Sequence, residues 1–185
     1  MTSFNSLCYR LCCIGDIHVN SFAYADDITL FASTLPGLQR LIDKCVSYAD
    51  KWRFTFSAKK SKCIVLGKNL LHNVPPGYWK LGDVSLDTVD SITILGVKYS
   101  ANLRCDDHVI DRINACRKNM FSLQEIGMCY PGLCTQAKVY LWKSMGLPSL
   151  LYGTEALSID AKNVTSMNQT QASCIKRCLG IGKRS

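Results

Sequence analysis

The alternation of apolar and polar positions changes period several times along the chain, and each change predicts an element. Phe22-Ala23-Tyr24 and Ile28-Thr29-Leu30-Phe31 are aromatic and β-branched runs, with Asp26-Asp27 between them. β-formers on both sides of turn-favouring aspartates predict a β-hairpin. From residue 35 the period becomes helical: Leu38, Leu41, Ile42, Cys45, Val46, Ala49 and Trp52 recur at spacings of three and four. That spacing predicts one amphipathic helix over 35–52, with its stripe facing a core, Pro36 in the first turn and Thr34 as cap. Ahead of the hairpin, an apolar run at 11–14 followed by Gly15-Asp16 predicts a short helix or strand and a turn.

Beyond the helix, Phe54-Thr55-Phe56 and Cys63-Ile64-Val65-Leu66 read as two strands around a basic turn. A turn-rich connection over 69–77 contains the breaker Pro75-Pro76-Gly77. Residues 78–81 and 84–86 then flank Gly82-Asp83 as a second hairpin, and 92–99 reads as a further strand. After Arg104 the pattern is helical. Val109, Ile113, Cys116, Met120 and Leu123 alternate spacings of four and three, with Asp106 or Asp107 as cap. A second helix is predicted over 135–146, ended by Pro148. A last one over 161–179 carries Val164, Met167, Ile175 and Leu179 and stops at Gly180. Strands followed by helices make the expected fold class α+β, with no internal repeat and no low-complexity tract.

Composition narrows the function. Hydrophobic residues make up 48% of the 185 and charged ones 19%, the balance of a folded chain. The formal charge of +8, from 22 Lys and Arg against 14 Asp and Glu, favours a polyanionic partner, nucleic acid first and an anionic membrane surface second. No apolar run approaches the ~20 residues that span a bilayer. Residues 6–13 are too short and too interrupted by Arg10 for a signal peptide, so no membrane partner and an intracellular location are expected. Eleven cysteines are an odd number without a secretory signal. They read as small buried hydrophobes in a reducing compartment, Cys45, Cys63 and Cys116 among them, with no disulfide-linked partner. Cys105-Asp106-Asp107-His108 has metal-ligand spacing, but no second pair completes a finger, and it reads as a helix start before a zinc site.

Two places carry candidate chemistry. Asp26 and Asp27 repel one another at the tip of an apolar hairpin, and a divalent cation is the simplest compensation, because Mg²⁺ takes oxygen ligands at about 2 Å. A plain solvated turn is the alternative. Six basic residues and no acidic one lie from Lys51 to Lys68. Lys59, Lys60, Ser61 and Lys62 are there candidates for phosphate or nucleic-acid backbone contact, with a solvated basic loop as the alternative.

Tyr24-Ala25-Asp26-Asp27 resembles the catalytic hairpin of reverse transcriptases, and the surrounding stretch is most similar to those of non-LTR (LINE-type) retrotransposons. Lys60-Ser61 before an apolar strand, Leu95-Gly96-Val97, and residues 147–156 with Pro148, Leu150, Tyr152, Gly153 and Glu155 resemble later segments of that family in the same order. Thr2-Ser3-Phe4-Asn5 resembles the end of a preceding one. The resemblance spans about residues 3–182 and is strongest over 22–67.

It implies a partial polymerase palm over 1–100, an antiparallel sheet with a packed helix, and a mostly helical thumb-like region over 101–185. The implied activity is RNA-directed DNA synthesis by two-metal nucleotidyl transfer, with two Mg²⁺ ions, an RNA template, a DNA primer and dNTPs, in the nucleus or cytoplasm. By the same resemblance Asp26 and Asp27 are catalytic metal ligands, and Lys60 neutralises triphosphate or protonates the leaving group. Tyr24 and Ala25 support the hairpin, and Leu95, Gly96 and Val97 belong to a primer-grip-like strand.

Two departures are visible. Ser57 and Lys59 stand where the family commonly has Asn and Glu, and no residue matches the further metal-binding aspartate of an earlier palm strand. Asp16 lies only ten residues before Asp26, without those surroundings. The chain alone is therefore expected to be inactive. A non-catalytic nucleic-acid-binding remnant is the alternative function, and a structural domain with an incidental Asp pair is the third.

Overall fold

The computed structural model describes residues 13–14, 16–67, 74–125, 127–128 and 132–181. It is a mixture of helices and small two-stranded sheets, an α+β chain. It divides into two compact units, Met1–Asp90 and Ser91–Ser185. The expected palm-like and thumb-like regions divide at residue 100 instead; the difference is the strand pair at 91–100, which shares its unit with the helices. The segment at 2–5 lies outside the described residues.

The first unit begins with β1 (Cys13–Ile14) and β2 (Ile17–His18), an antiparallel pair. Next comes the hairpin of β3 (Ser21–Tyr24) and β4 (Asp27–Leu30), in register Ser21 with Leu30 through Tyr24 with Asp27. Helix α1 runs Leu35–Trp52, the span its periodicity predicts. Thr34 is extended, and its hydroxyl oxygen accepts from the Gly37 N–H, satisfying one of the donors a helix start leaves open. Arg53 ends the helix in the left-handed region.

That ending explains why no strand forms at 54–56. The Phe54 N–H donates back to the Ala49 carbonyl. The rings of Tyr48, Phe54 and Phe56 pack edge to face against one another, with centroids 6.1 and 5.2 Å apart. The apolar signal was real, but it marks an aromatic cluster. The strand expected from Cys63 onward is shorter too: β5 (Lys62–Cys63) pairs in parallel with β8 (Asp87–Thr88) and stops there. Between them β6 (Lys80–Leu81) and β7 (Val84–Ser85) form the hairpin predicted around Gly82-Asp83.

The core of this unit is small. Ile42, Cys63, Trp79 and Leu86 are buried, with Leu30, Leu35 and Leu38 packed against them. Trp79 is held by a hydrogen bond from its Nε1–H to the Leu35 carbonyl, 3.1 Å. Gln39 ties α1 to β6 by both amide atoms: Nε2–H donates to the Lys80 carbonyl and Oε1 accepts from the Lys80 N–H, each at 2.9 Å. The helical stripe is only partly core. Ile42 and Ala49 are buried, whereas Trp52, at its far end, is exposed.

The second unit opens with β9 (Ser91–Ile94) and β10 (Val97–Ser100), an antiparallel hairpin where the sequence predicted a single strand. Leu95 and Gly96 both have positive φ, 49° and 78°, the two-residue turn whose twist suits a hairpin. Helix α2 (Asp106–Glu125) buries Val109, Ile113, Cys116, Met120 and Leu123 as its spacing predicts. Asp106 and Asp107 lie inside its first turn, where carboxylates favour the helix dipole, and do not precede it as caps.

The next helical region differs most from expectation. α3 (Thr135–Leu141) passes through a π-helical turn, Trp142–Gly146, into α4 (Leu147–Leu151). Pro148 therefore does not end the helix. It sits in the first turn of α4, just after the wider turn has already altered the hydrogen-bond ladder, where a missing N–H costs least. After a 3₁₀ turn at Thr154–Ala156, α5 (Ala161–Cys178) starts on Asp160, whose side chain accepts from the Asn163 N–H at 2.8 Å. Its buried residues are Asn163, Met167, Thr170, Cys174 and Cys178, and Val164 is exposed. The true stripe includes Asn and Thr, so reading apolar residues alone rotates it.

Candidate functional site

The hairpin β3–β4 turns through Ala25 and Asp26. Ala25 is forced to φ 51°, a conformation non-glycine residues adopt only when a tight turn requires it. Side chains alternate across a strand, so Leu30, which packs on the core of the first unit, shares a face with Ser21, Ala23 and Ile28. Phe22, Tyr24, Asp27 and Thr29 form the other face. Phe22 meets Phe31 edge to face at 4.9 Å. Tyr24, Ala25, Asp26 and Asp27 are all exposed. The turn thus presents two adjacent carboxylates in water, stiffened by an aromatic pair behind them and by the bond from Phe31 N–H to the Asn20 carbonyl, 2.8 Å.

The basic turn is built from its own backbone. Ser57 carbonyl accepts from the N–H groups of Lys60 and Ser61 and from the Ser61 hydroxyl, 2.9 Å. Ser61 is a turn former whose hydroxyl proton is already engaged. Lys59, Lys60 and Lys62 project into solvent. Among the described residues no hydrogen bond or ion pair joins these lysines to Asp26 or Asp27, and no group of three or more His, Cys, Asp or Glu side chains is placed to hold a metal ion. Two tip carboxylates can offer oxygens to a hard cation, and further ligands would have to come from water, nucleotide or another segment.

Leu95, Gly96 and Val97 lie in the second unit, where a network that the sequence did not announce fixes them. His108 is almost wholly buried on α2. Its Nδ1 accepts from the Lys98 N–H at 3.2 Å, so the ring carries its proton on Nε2, which donates to the Tyr152 carbonyl at 2.9 Å. The Tyr152 hydroxyl donates to the Leu95 carbonyl at 2.7 Å, and its ring lies over Gly96, where a Cβ would come 3.1 Å from Cε1. Arg112 stacks over that ring from α2, 5.6 Å from the centroid. Gly153, at φ 73°, has room for no side chain beside Val97 and His108. The segment at 147–156 and the Leu95-Gly96 turn are therefore joined through His108 and Tyr152.

In the Cys105–His108 run, Cys105 and Asp106, like His108, have structural tasks. The Cys105 thiol donates to the Ser158 carbonyl at 3.4 Å, and Asp106 takes Asn163 Nδ2–H at 2.7 Å and Arg104 at 2.8 Å. The hydrogen bond from Asn163 lowers the Asp106 pKa, aided by the positive charge of Arg104.

No family model matches the chain, and no curated protein or solved structure matches it. Among the described residues no helix is long and apolar enough to cross a membrane.

Proposed function

We propose that this chain is the later palm and thumb-like part of a non-LTR retrotransposon reverse transcriptase, an RNA-directed DNA polymerase. The observation that carries the reading is the Tyr24-Ala25-Asp26-Asp27 turn, which presents both carboxylates at an exposed hairpin tip ahead of a helix and a basic turn. In such a site Asp26 and Asp27 are the residues that would hold Mg²⁺. Bound there, the metal would supply activation of a primer 3′-hydroxyl and charge stabilisation for the leaving pyrophosphate. Lys60, exposed in its turn, is suited to triphosphate charge, and Lys59 and Lys62 to the backbone of template or primer. The partners are an RNA template, a DNA primer and dNTPs, in the nucleus or cytoplasm. No residue of the sequence matches the family's further aspartate, so polymerisation by this chain alone is not expected.

A second reading, a non-catalytic nucleic-acid-binding remnant, is favoured by one observation. Tyr48, Trp52 and Phe54 are exposed aromatic rings beside the Lys51 ammonium, which lies 5.7 Å from the Trp52 centroid. Exposed rings among cations are what unpaired bases stack upon.

Primer extension on a primed RNA template with Mg²⁺ and dNTPs, together with binding measured against salt, tests both. The reverse-transcriptase reading expects no extension by this chain and salt-sensitive binding. It also expects extension once the chain is joined to a segment supplying the missing aspartate, abolished by Asp26→Ala. Salt-sensitive binding without extension in the joined form leaves the second reading. Loss of both overturns the two together.

A further inference from the structure

Away from the hairpin, the second unit holds a cleft with the makings of a ligand site. Helices α2 and α5 pack on one shared core, and between them they line a cavity of about 560 Å³. Its walls follow helical spacing. On α5, Thr170, Ser173 and Arg177 lie three and four positions apart and share one face. α2 supplies Arg117 with Phe121 and Lys118 with Ser122, two pairs set four positions apart. Both helices thus turn a polar, cationic surface toward the same space, which lies wholly within one unit.

Those walls suit an anion with an aromatic body. Three cations line the cavity, Arg117, Lys118 and Arg177, and none of its lining residues is acidic. Among the described residues neither Arg117 nor Lys118 is held in an ion pair, so their charge is open to a ligand. Hydroxyls stand beside them. Ser122 and Thr170 donate to the Lys118 and Ser166 carbonyls, at 3.2 and 3.0 Å. The Ser173 hydroxyl makes no hydrogen bond to the described residues, which leaves its proton for a ligand oxygen. Phe121, 58% exposed, brings an open apolar ring to the same cavity. An aromatic face beside cations is a surface on which a nucleic-acid base stacks.

We propose that this cavity binds a free nucleoside monophosphate, its phosphate held by Arg117, Lys118 and Arg177 and its base stacked on Phe121. The grouping of charge decides between a free nucleotide and a strand. A terminal phosphate carries about −1.5 to −2 at pH 7 on one group, and so calls for several cations at one place. Phosphates inside a strand carry one charge each and are spread along it, so they call for cations along a track. Here three cations surround one cavity, whose volume falls in the ~300–1,000 Å³ range of small-molecule sites. Two of them are guanidinium groups, whose fork matches phosphate oxygens in pairs, and Ser173 adds a neutral donor. The site uses no residue of the hairpin or the basic turn, so it stands or falls separately from the polymerase reading.

The test titrates the folded full chain by calorimetry, in EDTA so that no metal occupies the hairpin. The ligands are adenosine 5′-monophosphate, inorganic phosphate, adenosine and a short single strand of DNA. The monophosphate should bind at least about tenfold more tightly than phosphate or adenosine, because only it uses both the cations and the ring. Arg117→Gln and Phe121→Ala, both at exposed positions, should each weaken it about tenfold, the loss of one charge-assisted hydrogen bond or one stacked ring. Lys176→Gln removes the same charge one residue from Arg177, outside the cavity wall, and should leave binding unchanged. Equal weakening by Lys176→Gln overturns the proposal, as does phosphate or adenosine binding as tightly as the monophosphate. A strand that binds and is weakened by Arg117→Gln, while the monophosphate does not bind, also overturns it and leaves the polymerase reading intact. If a variant fails to fold, the four ligands compared on the unmodified chain still decide.

Discussion

His108 does more for the second unit than its single side chain would indicate. Both ring nitrogens are engaged, one accepting from β10 and the other donating to the Tyr152 carbonyl, in a position almost closed to water. Removing the ring strands a donor and an acceptor and leaves a void. His108→Ala should therefore lower stability by about 2–4 kcal/mol in urea denaturation, and His108→Gln, which can still donate and accept, by less. Asp106 sets a pH dependence. Its folded pKa is lowered from the ordinary 3.8 by the Asn163 hydrogen bond and by Arg104. Stabilisation from it is fully present above that value and lost as pH falls through the lowered one. Asp106→Asn should reduce the loss of urea midpoint on acidification below about pH 4, the window in which the two carboxyl states diverge. The sequence showed these residues only as a metal-like spacing. Their partners, Tyr152 and Asn163, lie 44 and 57 positions away in the chain.

Among the elements, α1 was the most legible. Its cap, its proline and its period are all local, and the helix occupies the span they predict. Thr34→Ala removes the acceptor for the Gly37 N–H and should cost about 1 kcal/mol, while Thr34→Ser keeps it, as thermal melts of the two variants would show. Where elements were misjudged, the backbone had a competing use. Residues 54–56 follow a left-handed cap that returns Phe54 to Ala49, which leaves them in no position to pair. The run at 92–99 folds back on itself because Leu95-Gly96 takes a turn conformation, a choice that apolar periodicity does not encode. The region around Pro148 escapes breakage because a π-turn comes first, and that turn has no local signature.

At the scale of the molecule, the two units bury very different amounts. The second packs α2, α4 and α5 around Val109, Met120, Leu123, Trp142 and Leu150, whereas the first rests on a cluster of four buried residues, Ile42, Cys63, Trp79 and Leu86. Slowest hydrogen exchange is therefore expected in α2 and α5, and fastest in the hairpin 21–30, whose strands are exposed along most of their length. Protection in that hairpin equal to α2, measured by exchange mass spectrometry, would contradict this order. An exposed, lightly held tip also fits a site that is completed by ligands from elsewhere, which is how the polymerase reading uses it.

Local signals in the sequence determined the α+β class, the hairpin at Asp26-Asp27, the span of α1, the buried face of α2 and the basic turn at 59–62. Those follow from side-chain period, turn residues and caps, which act over a few positions. Tertiary structure decided what depends on distant partners: which face of α5 is buried, and where Tyr152 and His108 meet. Contacts between residues 44 to 58 positions apart arise only once the helices pack. Burial and hydrogen bonding then assign Asn, Thr, His and Cys roles that their places in the sequence leave open.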